Sequence, residues 1–340
     1  MSRAASRHPL EELETTAESL RVASVASSND RHLCILPLAT LLENIGGIYT
    51  PLLAGATICV PPLASIGVSG SSGLDTSRLI AALNRWQATS AIMVPQMLRA
   101  LVAAGDAGVA LPLKLRYLAV GGAPVALRLL HDAEVLGLPV YEGYGLSECA
   151  SVVAVNRPRV RRIGSIGKPL PHVRVDFAAD GEILIRGIAW RGYLGEQTSS
   201  RSDNTIATGD LGFLDEDGFL HITGRKKNIF ITSFGRNIAP EWVEDELTSR
   251  HPILQAAIFG EARPFNTAVI VPHPTATSRS VEAALDGANE HLPDYARVRA
   301  WIPAREPFTL GNGMSTPNGR LRRSCIFNAY ADQIDALYQH

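Results

Sequence analysis

Hydrophobic and polar positions alternate in blocks that predict a β-α-β-α-β run between residues 90 and 145. The stretches SAIMVP and LRYLAVGG predict buried strands, and QMLRALVAAG, closed by Gly105, predicts an amphipathic helix between them. The stretch PVALRLLHDAEVLG predicts a second helix, with Pro124 near its first turn and Gly137 after its last, and LPVYEGYG predicts a third strand. Such runs build parallel sheets, whose ligands lie beyond the carboxyl ends of the strands.

The pattern changes on both sides of this run. Upstream, LCILPLATLLENIGGIYTPLLAGATICVPP predicts a strand, a helix and a strand of the same sheet. Residues 160–224 contain short alternating stretches such as GEILIRG and GFLHITG, which predict a small antiparallel unit. After Arg225, PEWVEDELTSR predicts a helix beginning at Pro240, and ILQAAIFG and AVIVP predict strands. We therefore expect an α/β protein with a large N-terminal domain over 1–224 and a smaller α/β C-terminal domain over 225–340.

Composition narrows the class of protein. Of the 340 residues, 46% are hydrophobic and 19% are charged, as in a globular protein long enough for about two domains. The formal net charge of −1 gives no electrostatic reason to expect a nucleic acid as partner. The cysteines form no CxxC pair, so their spacing indicates neither a zinc site nor a disulfide framework; they are Cys34, Cys59, Cys149 and Cys325.

Nothing in the sequence pattern predicts a membrane span. No apolar run reaches about 18 residues, and the stretch MSRAASRHPLEELETTAESL lacks the apolar segment of a secretory signal. We therefore expect a cytoplasmic protein with no transmembrane segment, and peripheral contact with a membrane stays open.

Short motifs occur in a fixed order along the chain: GGAP at 121–124, YGLSE at 144–148, GSIGKPLP at 164–171, TGDLG at 208–212, GRKKNIFITSFGRNIAPEWVE at 224–244 and NGRLRR at 318–323. Together they resemble the adenylate-forming (AMP-binding) superfamily, and are most similar to its long-chain fatty acyl-CoA synthetases, from about Leu33 to Tyr330. The resemblance implies ATP, Mg²⁺ and coenzyme A, with a small-molecule carboxylic acid as the second substrate. The carboxylate attacks the α-phosphorus of ATP, giving an acyl-adenylate and pyrophosphate, and the thiol of coenzyme A then displaces AMP.

The resemblance also implies roles for single residues. Tyr144 stacks on the adenine, Ser147 donates to the α-phosphate, and Glu148 holds Mg²⁺ through a carboxylate oxygen. Asp210 accepts hydrogen bonds from the ribose hydroxyls, and Arg225 is a second ribose or phosphate contact. The complete set of nucleotide positions is Gly121, Gly122, Ala123, Glu142, Gly143, Tyr144, Gly145, Leu146, Ser147, Asp210 and Arg225.

The C-terminal motifs imply a hinge and a coenzyme A channel. Lys227 matches the hinge about which the second domain rotates, and Gly235 and Asn237 match the loop at the pantetheine channel. Each motif also has an ordinary alternative. A Gly pair after a strand, an Asp beside Gly and the loop SFGRN are all common in plain turns, and an Arg beside lysines is usually a solvated face.

The sequence departs from the family pattern in several places. Arg320 occupies the position of the catalytic lysine, and because a planar guanidinium differs from a compact ammonium, we expect slowed adenylation. Thr40 stands where the family commonly has a His. The Ser/Thr/Gly-rich phosphate loop ending in Pro-Lys-Gly is not found, and we interpret SGSSG at 69–73 as a flexible linker. We therefore expect an incomplete large domain, completed by a missing N-terminal segment or a partner chain.

These departures leave three interpretations. The first is a carboxylate–CoA ligase of the long-chain type, impaired as an isolated chain, with Ser147, Glu148 and Arg320 as its catalytic positions. The second is a catalytically inactive homologue that binds AMP, ATP or an acyl-adenylate as a regulatory or relic module. The third is acyl transfer to a carrier protein that meets the basic run RPRVRR at 157–162.

Overall fold

A computed structural model of the chain describes residues 6–69, 73–112, 114–194, 205–316 and 320–339. The centre of the predicted SGSSG linker, residues 70–72, lies outside the described residues, as do Asn318 and Gly319 of NGRLRR. The chain divides into two compact units, with the main border between Ile222 and Thr223, inside a strand that is described below with the first unit.

The first unit is built on a large mixed sheet and a small antiparallel sheet. Its strands are β1 (Arg31–Leu33), β2 (Thr57–Cys59), β3 (Val68–Ser69), β4 (Gly73–Leu74), β5 (Ser90–Met93), β6 (Tyr117–Val120), β7 (Val140–Tyr144), β8 (Ala154–Val155), β9 (Lys168–Pro169), β10 (Arg174–Phe177), β11 (Glu182–Arg186), β12 (Ile206–Leu214) and β13 (Leu220–Arg225). Its helices are α1 (Leu10–Ala23), α2 (Leu41–Glu43), α3 (Thr50–Leu53), α4 (Thr76–Arg85), α5 (Pro95–Asp106) and α6 (Leu127–Val135).

The large sheet has the strand order β2-β1-β5-β6-β7-β8-β9. The first five strands in this order, β2, β1, β5, β6 and β7, are parallel, as the β-α-β pattern predicts, so their carboxyl ends meet at one edge. The strands β8 and β9 extend this sheet in antiparallel fashion, which the sequence pattern did not predict because each has two residues. The antiparallel sheet β10-β11-β12-β13 is the predicted small unit.

The helix α1 was not predicted, and it packs on the core beside the antiparallel sheet. Its Ala17 and Leu20 are buried in one cluster with Val153 of the loop before β8, Ile183 of β11 and Leu220 of β13. Other helices follow ordinary local rules. Asp75 caps α4 by accepting a hydrogen bond from the backbone N–H of Arg78, and α5 begins at a proline, where a missing N–H costs little.

The second unit has a three-stranded sheet with helices on both faces and a separate two-stranded sheet. Its strands are β14 (Phe230–Ile231), β15 (Asn237–Ile238), β16 (Ile253–Phe259), β17 (Asn266–Pro272) and β18 (Val298–Pro303), and its helices are α7 (Pro240–Thr248), α8 (Ser278–Asn289) and α9 (Arg323–Ala336). Alternate residues of β17 point to opposite faces. Ile270 packs in a core with α7 and α8, whereas Val269 packs with Ile326 and Tyr330 of α9. The fold class predicted from the sequence, α/β in both parts, is confirmed.

Within the described ranges, no helix is long and apolar enough to cross a membrane.

Candidate active site

The carboxyl edge of β6 and β7 brings GGAP beside YGLSE. Val120 of β6 pairs with Glu142 of β7, so the Gly-rich turn after β6 lies level with the end of β7. A Cβ atom at Gly121 would stand 2.9 Å from the carbonyl oxygen of Gly143, a contact that a side chain does not tolerate. Two motifs separated along the chain therefore meet backbone to backbone, at the edge where parallel sheets place their ligands.

Tyr144 and Asp210 are joined directly. The phenol of Tyr144, the last residue of β7, donates a hydrogen bond of 2.7 Å to Oδ2 of Asp210, which is buried on β12. Asp210 is held in turn by Thr208, whose Oγ1 accepts from the Asp210 N–H at 3.1 Å and donates to the carbonyl of Ile183 at 2.8 Å. Burial, and then the nearby Asp210 charge, raise the pKa of Tyr144, so the phenol remains a hydrogen-bond donor.

The segment after Tyr144 is tightly wound. Ser147–Cys149 forms a single 3₁₀ turn, and Ala150 and Ser151 follow with φ angles of 48° and 86°. Two consecutive left-handed residues that are not glycine are uncommon, and such strain clusters at functional sites. A Cβ at Gly145 would stand 1.6 Å from the carbonyl oxygen of Ser151, so this close approach requires glycine. At Gly143 the nearest atom to a Cβ is 3.4 Å away, an ordinary contact.

Two residues that sequence reasoning missed hold this turn. The ring Nε2–H of His8 donates to the carbonyl oxygen of Ser147 at 2.6 Å, and the hydroxyl of Tyr193 donates to Oε1 of Glu148. Both residues come from distant parts of the chain, and no motif marks them. The structure therefore brings Tyr144 and Asp210 into contact, while the hydrogen bond at Glu148 comes from Tyr193.

Glu142 is a buried carboxyl group beneath the same strand end. Burial raises its pKa from 4.5 to about 8, because the N–H of Gly164 and the charge of Arg161 offset only part of the desolvation. A substantial fraction of this group is therefore protonated at neutral pH.

The predicted hinge Lys227 and channel residue Gly235 occupy turns, whereas the other channel residue, Asn237, begins the strand β15. Arg225 ends β13, and its carbonyl accepts hydrogen bonds from the N–H groups of Asn228 and Ile229, so the exposed Lys227 lies in a tight turn. SFGRN connects the paired strands β14 and β15, in which Ile231 opposes Asn237, and Gly235 has a φ of 71°. A positive φ at Gly235 explains the glycine without a ligand.

Arg320 begins a short segment that returns beside Thr316. Its N–H donates to Oγ1 of Thr316 at 3.1 Å, and its carbonyl accepts from the Thr316 N–H at 2.8 Å. Three residues later, Arg323 forms ion pairs with Glu241 at 3.0 Å and with Glu244 of α7. This cluster was not predicted, and it ties the segment after Arg320 to the core of the second unit.

The basic run RPRVRR and Thr40, which stands where the family commonly has a His, both have local structural roles. In the basic run RPRVRR, Arg161 pairs with Glu134 at 3.1 Å, and Arg162 contacts Asp215 and Asp217. These contacts within the chain weaken the case for an acidic carrier protein as the partner of the run. Thr40 donates through Oγ1 to the carbonyl of Pro37 at 2.7 Å and so closes a turn.

Family models match both units of the chain. The model described as AMP-binding enzyme matches residues 10–194, more than half of the chain, and the model described as AMP-binding enzyme C-terminal domain matches 227–340. The chain belongs to the AMP-binding enzyme family. The resemblance stated from the motifs is thereby confirmed.

Relatives of this AMP-binding family member include fatty-acid CoA ligases. The chain is 36% identical over 246 residues to the long-chain-fatty-acid–CoA ligase FadD15 of Mycobacterium bovis, covering 64% of this chain and 41% of that protein. It is 29% identical over 268 residues to long-chain-fatty-acid–CoA ligase 5 of Mus musculus, covering 66% and 39%. The chain thus matches about two fifths of the length of these curated relatives.

Solved structures share the fold. The anthranilate CoA ligase AuaEII in complex with anthranoyl-AMP superposes with a TM-score of 0.81 at 22% identity, covering 95% of this chain and 64% of that one. The O-succinylbenzoate coenzyme A synthetase MenE of Bacillus subtilis, in complex with ATP and magnesium, gives 0.74 at 23% identity, covering 94% and 66%. At this identity the likeness establishes the architecture.

Proposed function

We propose that this chain carries the nucleotide site of an AMP-forming carboxylate–CoA ligase whose carboxylate substrate is a long-chain fatty acid. The observation that supports this most is the hydrogen bond between Tyr144 and Asp210, because it joins two motifs that lie 66 residues apart in the chain. Chance matches to short motifs have no reason to produce such a contact. The fatty-acid substrate rests on the relatives named above.

In this proposal the nucleotide lies against the carboxyl edge of the large sheet. The ring of Tyr144 stacks on the adenine, and the turn Gly121–Ala123 lines the base with exposed backbone. Asp210 accepts from the ribose hydroxyls, which is compatible with its bond to Tyr144 because a carboxylate accepts several hydrogen bonds. Leu146 and Gly145 complete the wall, and Arg225 is the second ribose or phosphate contact.

The residues present fit a magnesium ion bound together with phosphate. Glu148 offers carboxylate oxygens, and Mg²⁺ in nucleotide sites is usually held by one or two carboxylates plus phosphate oxygens. Ser147, one residue earlier on the same turn, donates its hydroxyl to the α-phosphate. When bound, the ion supplies positive charge beside the phosphates. His8 and Tyr193 keep this turn in place through their contacts with Ser147 and Glu148.

The second half-reaction is assigned to the C-terminal domain, residues 225–340. Lys227 acts as the hinge, and Gly235 and Asn237 line the channel through which coenzyme A reaches the acyl group.

For the first half-reaction, adenylation, Arg320 stands in the position of the family's catalytic lysine, where it contacts the attacking carboxylate and the phosphate. Because the planar guanidinium group of Arg320 cannot reproduce the geometry of a lysine ammonium group, adenylation is slow in this chain.

Arg320 also favours a second candidate, a homologue that binds nucleotide or acyl-adenylate without turnover. The two candidates share the nucleotide site and differ in one measurable respect, the exchange of pyrophosphate into ATP in the presence of a carboxylic acid. Affinity for AMP is common to both.

The experiment uses the full 340-residue chain. Calorimetric titration with AMP and with Mg·ATP measures binding, and pyrophosphate exchange with a long-chain fatty acid measures adenylation. We expect AMP binding together with slow exchange that depends on the fatty acid. Binding without exchange supports the second candidate, and a chain that binds neither nucleotide contradicts both.

A further inference from the structure

Three side chains with metal-ligating atoms meet in the interior of the first unit. They are His32 on β1, Cys34 directly after β1 and Glu43 at the end of α2, with 4%, 2% and 0% of their surfaces exposed. One ligand atom from each lies within 4.8 Å of the other two. An imidazole, a thiol and a carboxyl group buried together form an unusual set for a protein core, where aliphatic packing is the rule.

In two of these side chains, a second polar atom forms a hydrogen bond that fixes the orientation of the side chain. Nδ1 of His32 lies 3.0 Å from Oγ of Ser90, so that Nε2 faces Oε1 of Glu43 at 3.3 Å. Oε2 of Glu43 accepts the backbone N–H of Leu36 at 3.2 Å. In protein metal sites, the ligating histidine nearly always has its second ring nitrogen hydrogen-bonded in this way, which fixes the orientation of the ring.

The backbone position next to the three ligand atoms is a glycine, Gly47, which carries no side chain. A Cβ at Gly47 would stand 2.4 Å from Oε1 of Glu43 and 2.8 Å from Nε2 of His32. The φ of Gly47 lies outside the left-handed region, so the glycine is required by space rather than by backbone conformation. Gly47 belongs to the π-helical turn Asn44–Tyr49, and π-helical turns are frequent at functional sites. Its carbonyl oxygen lies 3.7 Å from Sγ of Cys34.

We propose that His32, Cys34 and Glu43 form a buried structural site for a thiophilic divalent cation of the Zn²⁺ class, with the carbonyl of Gly47 as the fourth ligand. A nitrogen, a thiolate and a carboxylate are the donors that Zn²⁺ and Co²⁺ accept. The thiolate and carboxylate charges neutralise the ion, so the buried ensemble is neutral. Binding releases the thiol proton and any imidazole proton to solvent.

Distances in the cluster agree with such an ion. Bonds of about 2.0–2.3 Å in a tetrahedral site place neighbouring donors roughly 3.3–3.8 Å apart. The separation of His32 Nε2 from Glu43 Oε1, 3.3 Å, already lies in that range, and because all three ligand atoms lie within 4.8 Å of one another, closing the site requires at most about 1 Å of side-chain movement. The cysteine spacing pointed away from zinc because this set holds a single cysteine, with its partners brought in by the fold.

The test supplies Co²⁺ during expression, because buried donors exchange metal slowly once the chain has folded. Cys325, an exposed thiol, is first replaced by Ser so that surface binding does not contribute. The readouts are cobalt per chain and the near-ultraviolet charge-transfer band of a cobalt thiolate. Cobalt on surface imidazoles, such as the neighbouring His251 and His273, gives no such band. We expect about one cobalt per chain together with the band.

The variants separate this site from other thiols. Cys34→Ala is expected to lose the band, and Cys149→Ala, which removes an equally buried thiol in a different core cluster, is expected to keep it. Circular dichroism checks that each variant is folded. His32→Gln, which leaves every thiol in place, is expected to weaken or shift the band. A folded Cys325→Ser protein without bound cobalt and without the band, or a Cys34→Ala variant that retains both, overturns the proposal.

Discussion

The phenol of Tyr144 donates a 2.7 Å hydrogen bond to the carboxylate of Asp210, and this bond links the last residue of β7 to the middle of β12. The contact fixes the direction of the long axis of the Tyr144 ring, because the hydroxyl is held at one end and the Cα belongs to the sheet. A ring whose axis is already held loses less side-chain freedom when a purine stacks on its face.

We predict that removing either partner weakens AMP binding to different extents. Tyr144→Phe keeps the ring and removes the tether, so we expect about a threefold to tenfold rise in Kd. Asp210→Ala removes both the tether and the acceptor for the ribose, so we expect roughly a tenfold to hundredfold rise. Calorimetric titration with AMP measures both. The control is Tyr49→Phe, at a half-buried tyrosine of the same unit, which should leave Kd unchanged.

An equal loss of affinity in Tyr144→Phe and Tyr49→Phe would show that the tether contributes nothing to the nucleotide site. Intact AMP binding in Asp210→Ala would place the ribose elsewhere.

The parallel part of the fold was predictable because each of its strands and helices has a clear local pattern of hydrophobic residues. Apolar runs of strand length alternate with amphipathic helices between residues 90 and 145, and Gly or Pro marks each border, so tertiary context had little to override. Once Glu142 and Gly121 are placed at the ends of adjacent parallel strands, the meeting of YGLSE with GGAP follows from the topology.

The remaining features depend on contacts between distant residues, which local patterns do not encode. His8 reaches Ser147 across 139 positions, and Arg323 reaches Glu241 across 82. The helix α1 was not predicted because its buried face includes the polar residues Glu12 and Thr16, which obscure the apolar spacing of the helix. The two-residue strands β8 and β9 are too short to show a repeating pattern of hydrophobic residues.

We predict that Arg320→Lys raises the rate of fatty-acid-dependent pyrophosphate exchange, by roughly tenfold if the ammonium recovers about 1.4 kcal/mol of transition-state stabilisation. The physical reason is the smaller, point-like charge of lysine between two anions. Arg322→Lys, two positions away, makes the same chemical change and serves as the matched control. If both variants exchange at the parent rate, Arg320 does not occupy the catalytic position.

We predict that Glu142 makes stability depend on pH. Burial raises its pKa from 4.5 to about 8, so the folded state holds a proton that the unfolded chain has released between these values. Stability therefore falls as the pH rises through this window, by up to about 1.4 kcal/mol per pH unit from this group. In Glu142→Gln we expect a flatter profile over the same window.

Urea unfolding at several pH values between the two pKa values measures this difference. Glu14→Gln, at an exposed position of α1, is the control and should retain the parental slope. A Glu142→Gln profile that runs parallel to that of the parent would show that the carboxyl group ionises normally in the folded state.

We predict that Arg323→Leu destabilises the second unit by about 2–4 kcal/mol, since it leaves the carboxylates of Glu241 and Glu244 without their cation. The value lies toward the lower part of the range for buried pairs because 19% of the Arg323 side chain is exposed. Urea unfolding followed by tryptophan fluorescence measures the loss. The neighbouring variant Arg322→Leu, with no ion pair to Glu241 or Glu244, should cost less than about 1 kcal/mol.

A double variant separates charge from packing. Adding Glu244→Gln to Arg323→Leu removes the more deeply buried of the two uncompensated charges, because the amide keeps the shape of the carboxyl group and needs no cation. We therefore expect the double variant to lose less stability than the sum of the two single variants, by about 1–2 kcal/mol. Strictly additive losses would mean that Arg323 stabilises α9 through the packing of its aliphatic stem rather than through its charge.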